Sequence, residues 1–217
     1  MASQHHEGAG SAFWIPYWQS MLGKDAMTAS GRSNGTAAET FMLLADACSA
    51  LELKPQDRLL EVGYGRGSMG WHLRGHCDHV GADANLGIAS AAFKVVLWGA
   101  GTESAPFVDG LFDKILVGSV LQYLNTSEVE FALKELRRII RPGGLCFLQN
   151  LPDGDCLDDY LATCPVDRRE LNLKAQWFSF LQSAEMALAC GWSRTEVRFP
   201  DKRMWHSKYY FDLLLTA

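Results

Sequence analysis

The chain has 217 residues, a net charge of −5, 48% apolar residues and 21% charged ones. That is enough for one domain with a single sizeable core, and too apolar for a disordered segment. The acidic balance weighs against a dedicated nucleic-acid or anionic-membrane binder, since Arg137-Arg138 and Arg168-Arg169 are isolated pairs and no long basic run exists.

In chain order, the polar start from Met1 to Gly10 lacks an apolar signal core, and no stretch is long enough to span a bilayer. Phe13-Trp-Ile-Pro-Tyr-Trp18 predicts an aromatic, partly helical cap, followed by a Gly/Ser/Asn-rich loop to Gly35. An amphipathic helix is expected over 36–51, with Phe41, Leu44, Cys48 and Leu51 at helical spacing. Strands and helices then alternate: strand 58–62, helix 67–75, strand 78–83, helix 87–92, strand 94–98 and strand 113–118. Ser127-x-x-Glu130 reads as a capping box for the next helix. Val129, Leu133, Leu136 and Ile140 line one face of that helix, and Pro142-Gly143-Gly144 stops it. Strand 144–149 follows, then an irregular acidic insertion from Leu151 to about Asn172 and helix 175–190 ending at Gly191. Strands 194–199 and 209–215 finish the chain. This alternation predicts an α/β, doubly wound, mostly parallel sheet covered on both faces. The domain divides into a cap (1–35), a core (36–150) and a substrate-side part (151–217).

Six cysteines show neither CxxC nor metal-ligand spacing, as expected of a reduced cytoplasmic protein. His72, His76 and His79 form a metal cluster only on paper. Gly75 ends the helix between them, and no cysteine or acid completes a tetrahedron, so no metal is expected.

The chemistry concentrates in Arg58-Leu-Leu-Glu-Val-Gly-Tyr-Gly-Arg-Gly-Ser-Met-Gly70. A short buried strand runs into Gly63, Gly65 and Gly67, which let the backbone turn and approach a ligand closely. A helix start near Ser68 offers unpaired N–H groups to a carboxylate or phosphate. Glu61 would repel phosphates yet welcome an ammonium, and a ligand carrying both an amine and a carboxylate fits that polarity. Asp78-His-Val-Gly-Ala-Asp83 is a second strand ending in an acid, the usual place for a carboxylate that grips ribose hydroxyls. One site thus asks for an amino acid at one end and a nucleoside at the other, as S-adenosylmethionine provides.

Glu61-x-Gly63-x-Gly65-x-Gly67 followed by Asp83 resembles the class I S-adenosylmethionine-dependent methyltransferases. Glu103-Ser-Ala-Pro-Phe-Val-Asp-Gly-Leu-Phe-Asp113, Val120-Leu-Gln-Tyr-Leu124 and Leu136-Arg-Arg-Ile-Ile-Arg-Pro-Gly-Gly144 extend the likeness to the branch similar to ubiquinone/menaquinone-biosynthesis methyltransferases. The resemblance implies a Rossmann-like methyltransferase fold of seven strands, the last antiparallel, with S-adenosyl-L-methionine as cofactor. It implies that Gly63 and Gly65 pass under the cofactor, Glu61 meets its ammonium, Asp83 accepts both ribose hydroxyls and Ala84 lies against adenine. Ser119 would lie beside the methionine moiety. Gly101 replaces the aspartate that usually meets the adenine amino group, so either Thr102 or Glu103 takes over, or stacking and backbone suffice. Tyr64, at a position commonly small, either reaches over the cofactor or simply packs.

For the acceptor side, the cap offers Trp14, Tyr17 and Trp18, and Tyr123 is a candidate for the pocket wall. The loop before the last strand offers Lys202, Arg203, Trp205 and His206, with His206 the best single candidate for a general base. Size, charge and aromatic cap favour a small-molecule acceptor. Two alternatives stay open: a catalytically inactive cofactor-binding protein, and a nicotinamide-dependent oxidoreductase. Gly65-x-Gly67-x-x-Gly70 matches the dinucleotide pattern, but starts three residues past Val62 and sets Glu61 against the pyrophosphate.

Overall fold

The structure, a computed structural model, describes residues 5–21, 36–85, 94–99, 101, 103–204 and 207–217. Seven strands form one sheet: β1 (Arg58–Val62), β2 (Asp78–Asp83), β3 (Val95–Leu97), β4 (Phe112–Gly118), β5 (Ile140–Pro152), β6 (Arg194–Arg198) and β7 (Tyr210–Thr216). Their order is β3-β2-β1-β4-β5-β7-β6. Pairings from β3 through β5 are parallel, and β7 runs antiparallel to both β5 and β6. Between β1 and β4 the strand order reverses direction, so a crevice opens at the carboxyl ends of these strands.

Helices cover both faces. Side chains on adjacent strand positions point oppositely. Ile115, Val117, Cys146 and Leu148 therefore meet helix α4 (Thr126–Ile139), which contributes Val129, Leu133, Leu136 and Ile139. Leu116 and Phe147 point the other way, to Leu43, Ala47 and Ala50 of helix α2 (Ala37–Ala50). Of the predicted face, Leu51 is buried and Leu44 and Cys48 pack against this cluster, while Phe41 is 52% exposed with its ring tilted against His72; Leu43 and Ala47 carry the most buried positions of the helix.

Helix α4 begins two residues earlier than Ser127-x-x-Glu130 predicts. Asn125 caps it, accepting from the Glu128 N–H, and the Glu128 carboxylate accepts from the Asn125 N–H. Helix α1 (Ser11–Ser20) fits the expected cap and is tied to that same helix start: the Ser11 amide donates to Glu128 at 2.9 Å, and its hydroxyl bonds the same carboxylate. The helix predicted over 67–75 shrinks to α3 (Gly70–Leu73). The acidic insertion holds two short helices, α5 (Leu157–Thr163) and α6 (Val166–Asn172). Helix α7 (Phe180–Ala189) starts later than expected, because residues before it run extended: Trp177 exchanges backbone bonds with His6. The helix predicted over 87–92 and the loop to Gly35 lie outside the described residues.

Candidate active site

A cleft of about 1150 Å³, counting its open mouth, lies at the carboxyl ends of β1, β2 and β4. Its floor is the glycine loop. Gly63 and Tyr64 donate backbone bonds to Ala82 O, which fixes the loop to the end of β2. Gly63 sits at φ 79°, and a Cβ there would lie 2.2 Å from Val120 Cγ2, so only glycine fits against the loop that follows β4. Asp83 closes the turn: its carboxylate accepts from the Gly65 N–H at 2.8 Å and from the Asn85 N–H at 2.9 Å. Burial raises its carboxyl above the usual range, and those two amides counter the effect. Ala84 follows Asp83 along the wall.

Glu61 also lines the cleft and is buried, paired at 2.9 Å with His79 on the neighbouring strand. Beneath both lies Tyr64, 2% exposed. A Cβ at Gly67, Gly70 or Gly81 would come within 2.3 Å, 2.4 Å and 2.5 Å of its ring or hydroxyl. Three glycines thus form the slot in which the Tyr64 ring packs under the loop, while the residue also lines the cleft. Burial and the Glu61 charge push its phenol upward. Gly70, which completes the dinucleotide pattern in sequence, belongs to this slot.

Aromatic rings of α1 and the turn after β4 roof the cleft. Trp14 lies 4.7 Å and Trp18 5.2 Å from the Tyr123 ring, centroid to centroid. Trp14 Nε1 donates to Lys174 O, which ties the roof to the far side of the chain. Ser119 lines the wall at φ 56°, a left-handed conformation unfavourable for a residue with a Cβ.

The adenine side departs from expectation at one position and explains another. Glu103 is exposed and not among the described lining residues; its carbonyl accepts from Trp98 Nε1 at 2.9 Å. Gly101 is buried, and a Cβ there would meet Leu124 at 2.8 Å and Glu128 at 3.1 Å. An aspartate has no room at that position in this chain. Trp98, 1% exposed and on the cleft wall, escaped the sequence reading. Its position at the end of a predicted parallel strand was the available signal. Thr102, Trp205 and His206 lie outside the described residues. Among the described residues no group of three metal-ligating side chains forms.

The site fits S-adenosylmethionine by its own chemistry: a buried and a half-buried carboxylate on adjacent strands, a floor that excludes a Cβ, and an aromatic roof. Residues 60–148 match the family model described as a methyltransferase domain. Solved structures agree in fold. One is a possible histamine N-methyltransferase of Thermotoga maritima: 18% identity, 95% of this chain and 96% of that chain covered, TM-score 0.58. Another is phosphoethanolamine N-methyltransferase 2 of Haemonchus contortus with S-adenosyl-L-methionine bound: 13% identity, 92% and 59% covered, TM-score 0.62. A third is a chain from the complex of the Haloferax volcanii Trm112 methyltransferase activator with a putative methyltransferase: 12% identity, 92% and 97% covered, TM-score 0.63. The fold is that of these methyltransferase structures. Together with the methyltransferase-domain match, it supports an S-adenosyl-L-methionine-dependent enzyme.

Proposed function

We propose that the enzyme methylates a small-molecule acceptor by in-line displacement, in the reducing environment of the cytoplasm. The observation that carries this is the pair of carboxylates, buried Glu61 and half-buried Asp83, set around the glycine loop beneath an aromatic roof. When bound, the cofactor supplies an electrophilic methyl group on a sulfonium. Glu61 holds its ammonium, Asp83 and the Gly63–Gly65 backbone hold the ribose and methionine parts, and Ala84 and Trp98 flank the adenine. Ser119 stands beside the methionine moiety. Trp14, Trp18 and Tyr123 exclude water and orient the acceptor, which is where most of the rate gain in methyl transfer to a good nucleophile arises. For an acceptor that must lose a proton, His206 is the candidate base.

Support for a small acceptor comes from the roofed cleft and the acidic net charge, −5. Two neighbours are named for small amines, one of them a possible histamine N-methyltransferase. The ordered blocks from Glu103 to Gly144 favour kinship with the ubiquinone/menaquinone branch. All six cysteines are free, which suits a reducing compartment. Among the described residues no helix is long and apolar enough to cross a membrane. The test is transfer of a labelled methyl group across a panel of small O-, N-, C- and S-acceptors. Label found only on nucleic acid or protein acceptors contradicts the small-molecule reading.

A further inference from the structure

β5 is distorted where it passes the site. Its register against β7 shifts between Leu148 and Leu151, leaving Gln149 and Asn150 as the bulged residues. Asn150 adopts φ 61° and Ser119, the residue just past β4, φ 56°. The bulge takes the Asn150 N–H out of the strand ladder, and Asp212 of β7 accepts it through Oδ1 at 2.7 Å. Asn150 Nδ2 in turn donates to Ser119 Oγ at 3.3 Å, and the Ser119 N–H donates to Gln149 O at 3.0 Å. A continuous chain of bonds therefore runs from Asp212 through Asn150 to Ser119 on the cleft wall. Asp212 itself is 1% exposed and not among the described lining residues.

We propose that Asp212 is a positioning residue for the cofactor site: it holds the β5 bulge in the shape that presents Ser119 to the cleft. This rests on Ser119 lying against the cofactor. A carboxylate is an expensive choice for scaffolding alone, because Asp212 Oδ2 is buried with no hydrogen-bond partner. Asn150 Oδ1 and Gln149 Oε1 are buried acceptors in the same condition. Bulges beside active sites re-aim side chains, and here the bulged Asn150 donates to Ser119 on the cleft wall. The charges facing Asp212 are Asp46 from α2, which opposes its ionisation, and Arg198 from β6, which favours it. Burial pushes its carboxyl up to about 7, so the N–H clamp changes charge near neutral pH.

The experiment is calorimetric titration of S-adenosylhomocysteine into the full chain and into Asp212→Ala, Asp212→Asn and Ser119→Ala, singly and combined. Asp212→Ala is expected to weaken binding about ten-fold, and Asp212→Asn, which keeps an acceptor oxygen, by about three-fold or less. In the Ser119→Ala background, Asp212→Ala should add less than about two-fold, since both act through one hydroxyl. Wild-type affinity in a folded Asp212→Ala, or full additivity with Ser119→Ala, overturns the proposal. If Asp212→Ala does not fold, the pH profile of Asp212→Asn decides. Wild-type affinity should change between about pH 6 and pH 8 and the variant's should not; coincident profiles overturn the proposal. A wild type that binds no S-adenosylhomocysteine at any pH is a different failure, that of the cofactor reading, and it removes the inference with it.

Discussion

Replacing Asp212 by asparagine should make the protein more stable, and increasingly so as pH rises. The substitution keeps the shape and an acceptor for the Asn150 N–H, but removes a buried charge whose second oxygen has no partner. In the unfolded chain this carboxyl titrates at the ordinary aspartate value of 3.8; in the folded protein burial holds its proton up to about 7. Between those values the folded state binds more protons than the unfolded state, so stability falls as pH rises, and the loss is complete above about 7. Three units at about 1.4 kcal/mol each give a penalty of about 4 kcal/mol by pH 8. Roughly 1.5 kcal/mol of it is already present at pH 5, so the variant should gain about 3 kcal/mol on the wild type between pH 5 and pH 8. For a chain of this size that is roughly 6–12 °C in Tm difference. Thermal unfolding of both proteins across that range, followed by circular dichroism, reads it directly. A Tm difference that stays constant with pH would show that Asp212 titrates normally, and the reasoning fails.

Other substitutions test the loop and its supports. Gly63→Ala adds a Cβ 2.2 Å from Val120 Cγ2 at φ 79°; it should lose about 1–3 kcal/mol in a denaturant melt and weaken cofactor binding. Gly70→Ala drives a Cβ to 2.4 Å from the Tyr64 ring. It should cost about 1–3 kcal/mol alone and much less in a Tyr64→Ala background, while additive costs in a double-mutant cycle would refute the glycine slot. Glu128→Ala severs α1 from α4 and breaks the capping box. A stability loss of about 2 kcal/mol and faster proteolysis within residues 5–21 are expected.

The strands were legible because a buried strand writes itself as a short apolar run: β1, β2 and β4 fall within a residue of the pattern-based bounds. The two acids of the cleft were legible for the same reason plus chemistry, since Glu61 and Asp83 interrupt apolar runs near strand ends. The buried face of α2 was legible in part: Leu44, Cys48 and Leu51 pack in the core, but Phe41 is exposed, because periodicity identifies an apolar stripe without saying where its edge meets the sheet. The expected cap of α4 lies two residues past the observed one because Ser127-x-x-Glu130 and Asn125-x-x-Glu128 both satisfy the same pattern, and tertiary bonds from Ser11 accompany the second. Tyr64 was ambiguous in one dimension: its three partner glycines are spread over fifteen positions and converge only in the fold. Asp212 left a signal that went unread, a single acid inside Tyr210-Phe-Asp-Leu-Leu-Leu215.

The most direct test of the central claim is calorimetric titration of the purified protein with S-adenosylmethionine and S-adenosylhomocysteine, with NADH as control and Asp83→Ala beside the wild type. The account predicts micromolar binding of the first two ligands, none of NADH, and a marked loss of affinity in the variant. Absence of binding to either, or affinity that Asp83→Ala leaves unchanged, would contradict the assignment of this cleft.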